Sequence, residues 1–189
     1  MIEQKIKDAC SKYGLENKEL RIKEEAFHLL VAEDLEKLFD RLLQKPAHHP
    51  DVREERVPYW AELWPSSVAI AQYILSHPAS FEEQPTIELG CGLGLAGIAA
   101  GKAGARVTLT DYMEDALEIA ALNWKRNGLA GQADFSLLDW RYPKKAQYNW
   151  IIGADVAYEQ HVFEPLLETF ATLLAPKGKI LFAEPRRWM

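Results

Sequence analysis

The sequence has few of the features that mark secreted, membrane-spanning or nucleic-acid-binding proteins. Its only cysteines are Cys10 and Cys91, so at most one disulfide is possible and nothing points to an oxidising compartment. No stretch reaches the ~18 consecutive apolar residues of a membrane span, and the five histidines lack metal-ligand spacing. The 28 acidic residues outnumber the 22 basic ones, and the net charge of −6 disfavours nucleic acid as a partner. We therefore expect a soluble, cytoplasmic protein without a bound metal.

The 189 residues, 48% of them hydrophobic, are enough for one domain with one main core. Apolar residues at helical spacing predict two amphipathic helices before residue 46, whereas residues 27–32 fit either a short strand or part of a longer helix. Residues 46–60 carry three prolines and no periodicity, which predicts a loop. We therefore divide the chain into an N-terminal helical extension and loop, residues 1–57, and a main domain, residues 58–189, within one compact unit.

From residue 85 onward, short apolar runs alternate with helical patterns. The predicted strands cover residues 86–89, 106–110, 133–137, 150–154 and 179–183, and the predicted helices cover residues 67–75, 95–103, 113–127 and 162–174. Repeated β–α–β units indicate an α/β fold, with a mainly parallel sheet covered by helices on both faces. Right-handed crossovers favour a doubly wound, Rossmann-like order, 3-2-1-4-5. Ligands of such sheets bind beyond the C-terminal ends of the strands, so functional residues are expected there.

A glycine-rich loop follows the first strand of this sheet. Glu88 begins the run Glu-Leu-Gly-Cys-Gly, and Gly94 and Gly97 continue it into a helix. Glycines let a ligand approach the backbone closely, and the start of the helix presents free N–H groups. Asp111, at the end of the second strand, suits a ribose hydroxyl. This combination predicts a nucleotide-like cofactor, but residues 92–97 also fit the dinucleotide pattern, so the loop alone leaves NAD and S-adenosylmethionine open.

Further motifs stand at fixed places around this loop. A Trp-containing segment, residues 62–67, precedes the first helix of the main domain, and the pair Asp139-Trp140 follows the third strand. The fourth strand ends in Asp-x-x-Tyr, residues 155–158. With the glycine loop, these motifs resemble the class I S-adenosylmethionine-dependent methyltransferases, specifically the lysine-methyltransferase-like group related to the METTL21 proteins. The resemblance extends over about residues 58–187 and implies S-adenosylmethionine as the cofactor.

The resemblance also implies a role for individual residues. The implied cofactor contacts lie in loops and at strand ends; they are Trp64, Gly90, Cys91, Gly92, Asp111, Trp140 and Ala154. Taken singly, either tryptophan could equally fill a core. Glu88, just under the loop, either meets the cationic amino group of the cofactor or holds the loop. Asp155 orients the acceptor, with helix capping as the alternative. Tyr158, one helical turn further on, either contacts the acceptor or packs at the edge of the core.

The expected reaction is methyl transfer to an amine, with an exposed lysine of a protein as the acceptor. Relatives that methylate base amines or glutamine amides typically carry an Asn/Asp-Pro-Pro-Tyr/Phe turn where this chain has Val156 and Ala157, which disfavours a nucleic-acid acceptor. A small-molecule amine is the alternative acceptor. An NAD-dependent oxidoreductase and a non-catalytic cofactor-binding or interaction module are the alternative functions. The oligomeric state is left open.

The C-terminus departs from the pattern of this family. Its members end in two further strands that form an antiparallel hairpin, but only five residues follow Glu184. We therefore expect either that a C-terminal segment is missing from this sequence or that the fifth strand is an exposed edge that a partner chain covers.

Overall fold

The computed structural model describes residues 2–129 and 133–185. In these residues the strands are β1 (Leu15–Ile22), β2 (Glu25–Ala32), β3 (Pro85–Leu89), β4 (Arg106–Asp111), β5 (Ala133–Leu137), β6 (Tyr148–Ala154) and β7 (Leu174–Ala183). The helices are α1 (Ile2–Tyr13), α2 (Leu35–Leu43), α3 (Pro50–Arg53), α4 (Pro65–Ser76), α5 (Leu95–Lys102), α6 (Glu114–Arg126) and α7 (Phe163–Leu173). Short 3-10 turns lie at Tyr59–Ala61, Pro78–Ser80 and Gln160–Val162. None of the helices in the described ranges is both long and apolar enough to cross a membrane.

The main sheet has the predicted architecture. Its five strands are parallel and ordered β5-β4-β3-β6-β7, which is 3-2-1-4-5 when only the strands of this sheet are counted. The doubly wound α/β fold is therefore confirmed. β7 starts five residues before the predicted strand, because Leu174 pairs with Tyr148 ahead of a register shift. Within the described residues, β7 pairs only with β6 in this sheet. Residues 186–189, which the predicted main domain includes, lie outside the described residues.

The hydrophobic core is divided between the two faces of the sheet, because successive side chains of each strand point to opposite faces. Ile87 and Leu89 of β3 pack with Leu166 and Leu173 of α7 in the smaller hydrophobic cluster. A larger cluster unites buried residues of β2, α4, α5, α6 and β4. Because neighbouring side chains of a strand point to opposite faces, Glu88 points away from α7, toward α5. A carboxyl group thus lies inside the sheet–helix interface, close to the glycine loop.

The N-terminal segment differs from the prediction. α1 and α2 confirm the two amphipathic helices, but residues 27–32 belong to β2, which pairs with β1 in an antiparallel hairpin. The description of residues 1–57 as a helical extension with a loop is therefore wrong in part. In β1, only Leu15 and Ile22 are buried, so the strand carries almost no alternating pattern by which the sequence could reveal it. The predicted loop, residues 46–60, also contains the single turn α3.

Asn123 of α6 and Asn127, which caps the C-terminus of this helix, hold the hairpin against the main sheet. Asn123 Oδ1 accepts a hydrogen bond from Leu30 N at 2.7 Å, and Asn127 Oδ1 accepts one from His28 N at 3.1 Å. Asn127 Nδ2 also donates to His28 O at 3.0 Å. These amides bond the backbone of β2 as a neighbouring strand would. Asn123 also donates to Leu93 O at 3.0 Å, so the same side chain contacts the glycine loop.

Candidate active site

A cavity of about 510 Å³ opens beyond the C-terminal ends of β3, β4 and β6. Its volume lies within the range of small-molecule binding sites. Residues 53–64, which we call the strap, form one wall, and the glycine loop and residues 155–158, the post-β6 loop, form others. All ten predicted site residues line this cavity: Trp64, Glu88, Gly90, Cys91, Gly92, Asp111, Trp140, Ala154, Asp155 and Tyr158. The structure therefore brings together side chains that are up to 94 positions apart in the sequence (158 − 64).

The glycine loop packs directly on the post-β6 loop. Gly90 has a φ of 61°, and a Cβ at this position would lie 2.8 Å from Cγ1 of Val156 and 3.5 Å from the indole of Trp140. Both the left-handed backbone and the close approach therefore require glycine here. Cys91 N donates to Thr110 O at 2.9 Å, which ties the loop to the end of β4. The two loops that the resemblance assigns to cofactor and acceptor are thus in contact.

Asp111 organises the backbone around it. Its Oδ2 accepts a hydrogen bond from Gly92 N and its Oδ1 accepts one from Met113 N, both at 2.9 Å. Burial raises the pKa of Asp111 to about 6, although these two N–H groups oppose the shift. Each carboxylate oxygen has more than one acceptor position, so Asp111 can still accept hydrogen bonds from a ligand in the cavity.

Glu88 holds the start of α5. Its side chain is almost fully buried, and its Oε2 accepts a hydrogen bond from Gly97 N, in the first turn of that helix, at 2.8 Å. Burial raises the pKa of Glu88 to about 8, and the neighbouring charge of Asp111 adds to the rise, while the Gly97 N–H opposes it. Of the two expected roles, holding the loop is therefore present in the structure. Glu88 also lines the cavity, and its expected contact with the amino group of the cofactor stays a prediction.

Asp155 stands where β6 ends, in a left-handed conformation with a φ of 59°. Its carboxyl group is buried, and Ser66 Oγ, in the first turn of α4, donates to Oδ2 at 3.3 Å. The next helical elements along the chain are capped by Glu159 and Val162, so the alternative of Asp155 as a helix cap is wrong. Its predicted role toward an acceptor stays a prediction.

Tyr158 lies at the cavity mouth together with other aromatic residues. The segment between Asp155 and Tyr158 is not helical, so placing Tyr158 one helical turn beyond Asp155 is wrong. Its half-exposed ring packs edge-on against Tyr59, with ring centroids 5.8 Å apart. Tyr59 also packs edge-on against Trp64, whose Nε1 donates to Tyr59 O at 2.9 Å. The strap and the post-β6 loop together thus form an aromatic rim near Asp155.

A group of charged residues that the sequence did not predict also lines the cavity. The guanidinium of Arg56 lies 4.4 Å from the ring centroid of Tyr112, and that of Arg141 lies 5.7 Å from it. Arg141 is bonded to Asp139 at 2.6 Å, which holds the pKa of that carboxyl below its ordinary value. These residues come from the strap and from two strand ends, and no spacing pattern connects them. Of these residues, only Asp139 belongs to a motif that the sequence reveals, the pair with Trp140.

Comparison with known proteins identifies the family. A family model described as lysine methyltransferase matches residues 52–188 of the chain. The chain belongs to this lysine methyltransferase family. The resemblance drawn from the glycine loop and the Asp-x-x-Tyr motif is therefore confirmed.

Several named proteins are similar to this member of the lysine methyltransferase family, and their names give different methyl acceptors. The histone-arginine methyltransferase METTL23 of Rattus norvegicus is 33% identical over 150 residues, covering 72% of this chain and 66% of the rat protein. The protein N-lysine methyltransferase METTL21A of Xenopus tropicalis is 31% identical, covering 68% of this chain and 61% of that protein. The EEF1A lysine methyltransferase 3 of Mus musculus is 33% identical, with coverages of 67% and 56%. The chain thus spans between 56% and 66% of the length of these relatives.

Solved structures of other methyltransferases share the fold of this family member. Magnesium protoporphyrin IX methyltransferase from Synechocystis PCC 6803, with bound SAH, superposes with a TM-score of 0.51 at 19% identity, covering 72% of this chain and 61% of that one. A SAM-dependent methyltransferase from Thiobacillus denitrificans, in complex with S-adenosyl-L-homocysteine, gives a TM-score of 0.50 at 19% identity, with coverages of 60% and 47%. At these identities the likeness is one of fold alone.

Proposed function

We propose that this chain is an S-adenosylmethionine-dependent N-methyltransferase that modifies an exposed lysine side chain of a protein. Membership of the lysine methyltransferase family supports the reaction class. The observation that carries the choice of cofactor is the hydrogen bond from Gly97 N to the buried carboxyl group of Glu88.

This hydrogen bond disfavours a dinucleotide. The pyrophosphate of NAD binds to free N–H groups at the start of the helix that follows a glycine loop. In this chain Glu88 already occupies one of those N–H groups, and Asp111 places a second carboxyl group at the same loop. At neutral pH the Asp111 carboxylate, with a pKa of about 6, repels a pyrophosphate and attracts a cation, and Glu88, with a pKa of about 8, adds to both effects when a nearby cation favours its ionised form. The cationic amino group of S-adenosylmethionine fits this environment, so an NAD-dependent oxidoreductase is the weaker alternative.

The remaining residues of the cavity fit the other parts of the cofactor. Asp111 has acceptor positions left for the ribose hydroxyls, and the indole of Trp140 offers an apolar surface to the adenine. Gly90, Cys91 and Gly92 allow close approach to the backbone, and Trp64 and Ala154 complete the wall. When bound, S-adenosylmethionine supplies a methyl group on a positively charged sulfur, an electrophile that needs no further activation.

The acceptor end of the cavity supports a lysine amine. Asp155 places a buried carboxyl group where it can accept a hydrogen bond from the amine, while Ser66 fixes its orientation. An unperturbed lysine has a pKa of about 10.4, so it must lose a proton before its lone pair can attack. The rings of Tyr59 and Tyr158 contact each other and line the same cavity, and they suit the alkyl part of the lysine. The protein mainly aligns the two reactants, which supplies a large part of such a rate enhancement.

An arginine acceptor is the second candidate, because one of the similar proteins is named a histone-arginine methyltransferase. A small-molecule amine and a non-catalytic binding module are further alternatives. A single experiment separates them: the protein is incubated with a cell lysate and tritiated S-adenosylmethionine, and the labelled products are analysed by mass spectrometry. We expect methyl groups on lysine residues of one or a few proteins. Label on arginine or on a small amine would identify that group, and not lysine, as the acceptor. Binding of S-adenosylmethionine without any labelled product would support the non-catalytic binding module.

Calorimetry tests the cofactor separately from the acceptor. We expect S-adenosylmethionine and S-adenosylhomocysteine to bind and NAD not to bind, and the opposite preference would overturn the proposed function.

We also propose a cytoplasmic location, which the two unpaired cysteines, Cys10 and Cys91, support. Fluorescence microscopy of the tagged protein tests this location.

A further inference from the structure

The end of β7 binds three consecutive backbone N–H groups of the post-β6 loop. Asp155 N donates to Ala183 O at 2.9 Å. Val156 N and Ala157 N both donate to the same atom, Oε1 of Glu184, each at 2.7 Å. Glu184 is the residue directly after β7, so Ala183 and Glu184 together bind the start of the post-β6 loop from the adjacent strand.

These bonds compensate for an irregular backbone. The φ of 59° at Asp155 turns the chain out of β6, so the next two N–H groups cannot continue the pairing between β6 and β7. Val156 is 4% exposed, which leaves little water to bond its N–H in place of Glu184. A backbone N–H that loses its acceptor in such a place is unfavourable, because neither water nor another group compensates for its burial. A single carboxylate oxygen therefore holds the turn that presents Asp155.

The same carboxyl group lies outside the cavity. Glu184 is not among the residues that line it, whereas Asp155, Val156 and Tyr158 are. Glu184 thus touches neither of the two positions at which cofactor and acceptor are expected. Its effect on the reaction has to pass through the backbone of the post-β6 loop.

We infer that Glu184 is a positioning residue for the methyl acceptor: by binding the N–H groups of Val156 and Ala157, it fixes the direction in which Asp155 and Tyr158 face the acceptor side chain. This role rests on the proposed function, because it supposes that Asp155 holds the acceptor. A displacement of about 1 Å in reacting groups can lower a rate about 100-fold, so a small shift of this loop is sufficient for a large effect.

The test compares Glu184→Ala, Glu184→Gln and the control Glu168→Ala, whose side chain is exposed on α7. Glu184→Gln keeps an oxygen acceptor and removes the charge, whereas Glu184→Ala removes both. Amide hydrogen exchange of Val156 and Ala157 is followed by NMR, because it reports on the two bonds without any activity. We expect exchange at least about tenfold faster in Glu184→Ala and near the wild-type rate in the other two variants.

The kinetic arm measures label transfer from S-adenosylmethionine to the proteins of a lysate, together with the dissociation constant of the cofactor from calorimetry. We expect Glu184→Ala to lower the maximal rate about 10- to 100-fold with a cofactor affinity within about twofold of wild type, and Glu184→Gln to restore most of the rate. Unchanged exchange, an unchanged rate, or an equal loss of rate and cofactor affinity in Glu184→Ala would overturn the inference. Wild-type protein that binds the cofactor but labels nothing would instead overturn the proposed function, and this role with it.

Discussion

Asp155 combines a left-handed backbone conformation with a buried carboxyl group at the cavity wall. L-amino acids other than asparagine and aspartate rarely adopt this conformation, and backbone strain of this kind concentrates at functional sites. Ser66 bonds the carboxyl group from α4, and the end of β7 bonds the backbone. The side chain is therefore fixed in place before any ligand arrives, which is what an alignment role requires.

Replacement of Asp155 by asparagine separates this role from cofactor binding. The amide keeps the size of the side chain and an oxygen for Ser66, but it has no charge with which to bind a cationic amine. We expect turnover to fall roughly 10²- to 10⁴-fold, with the cofactor dissociation constant within about twofold of wild type. Steady-state kinetics and calorimetry measure the two quantities. Tyr158→Phe serves as the matched variant, because it removes only a hydroxyl group at the same rim.

If Asp155→Asn weakened cofactor binding as much as it lowered turnover, Asp155 would be a cofactor or structural residue. A wild-type rate in Tyr158→Phe would limit Tyr158 to packing.

The pH profile of the wild-type protein adds an independent criterion, since a lysine acceptor becomes neutral as the pH approaches 10.4. The rate is expected to rise between about pH 7 and 9, and a flat profile with rate-limiting chemistry would count against an amine acceptor.

Asp111 has a different predicted role, on the cofactor side. Its carboxyl group accepts hydrogen bonds from Gly92 N and Met113 N, and we expect its other acceptor positions to bind the ribose hydroxyls. We expect Asp111→Ala to weaken S-adenosylmethionine binding by about 1.5–3 kcal/mol, the typical contribution of a hydrogen bond to a charged group. Calorimetry measures the affinity, and Asp134→Ala, at an exposed position of β5, is the control. An unchanged affinity in Asp111→Ala would remove this residue from the site.

At the scale of elements, the contact between α6 and the N-terminal hairpin has a direct connection to the site. Asn123 is fully buried and binds Leu30 N of β2 and Leu93 O of the glycine loop. Its replacement by alanine leaves two buried polar groups without their partner. Each such group costs about 1–3 kcal/mol. The helix thus transmits the position of the hairpin to the loop that the cofactor would contact.

We therefore expect Asn123→Ala to lower the free energy of unfolding by about 2–6 kcal/mol, measured by urea denaturation. Asn127→Ala, at the C-terminal cap of the same helix, is the matched variant. Its side chain bonds His28 in a partly exposed place, so a smaller loss of stability is expected. Equal losses in the two variants would show that the buried hydrogen bonds of Asn123 stabilise the protein no more than the partly exposed hydrogen bonds of Asn127.

The two halves of the chain differ in how far their elements could be predicted. The strands of the main sheet are short and buried, and helices of clear periodicity separate them, so their existence and order followed from the pattern. β1 could not be found in this way, because six of its eight residues are exposed or only partly buried and its pairing with β2 is a tertiary contact. Tyr158 was misplaced because periodicity carries no information on the turn that Asp155 makes.

At the scale of the whole molecule, the site residues that were predicted share one property: each stands in a recognisable motif, either at a strand end or, for Trp64, directly before α4. Those that were missed act across long distances in sequence. Arg56 approaches Tyr112 from the strap, and Glu184 reaches back 28 residues to Val156. Such contacts depend on how the elements are packed, which residue spacing along one chain does not encode.

Protonation of the site affects the stability of the whole protein. Glu88 has an ordinary pKa of 4.5 when unfolded and about 8 in the folded protein without ligand, and Asp111 changes from 3.8 to about 6. Between these values the folded state binds more protons than the unfolded state, so the free energy of unfolding decreases as the pH rises. The stabilisation is complete below about pH 4 and is lost through about pH 8, an effect on the order of a few kcal/mol from these two groups.

Thermal denaturation of the ligand-free protein should therefore give a lower Tm at pH 8 than at pH 5.5. Glu88→Gln keeps an oxygen for Gly97 N and cannot ionise, so we expect a smaller fall in Tm over this interval. Glu168→Gln, at an exposed position, is the control and should behave as wild type. The same pH dependence in wild type and Glu88→Gln would contradict the assignment of this effect to Glu88.

The docking of the hairpin on α6 has a kinetic consequence. Leu30 and Asn123 are 93 residues apart in sequence, and His28 and Asn127 are 99 residues apart. Contacts of such separation require a large loss of chain entropy before they contribute any energy, so they form late in folding. Interactions that are absent from the transition state act mainly on the rate of unfolding. The hairpin should therefore determine how long each folded molecule survives, and have little influence on how quickly the sheet first assembles.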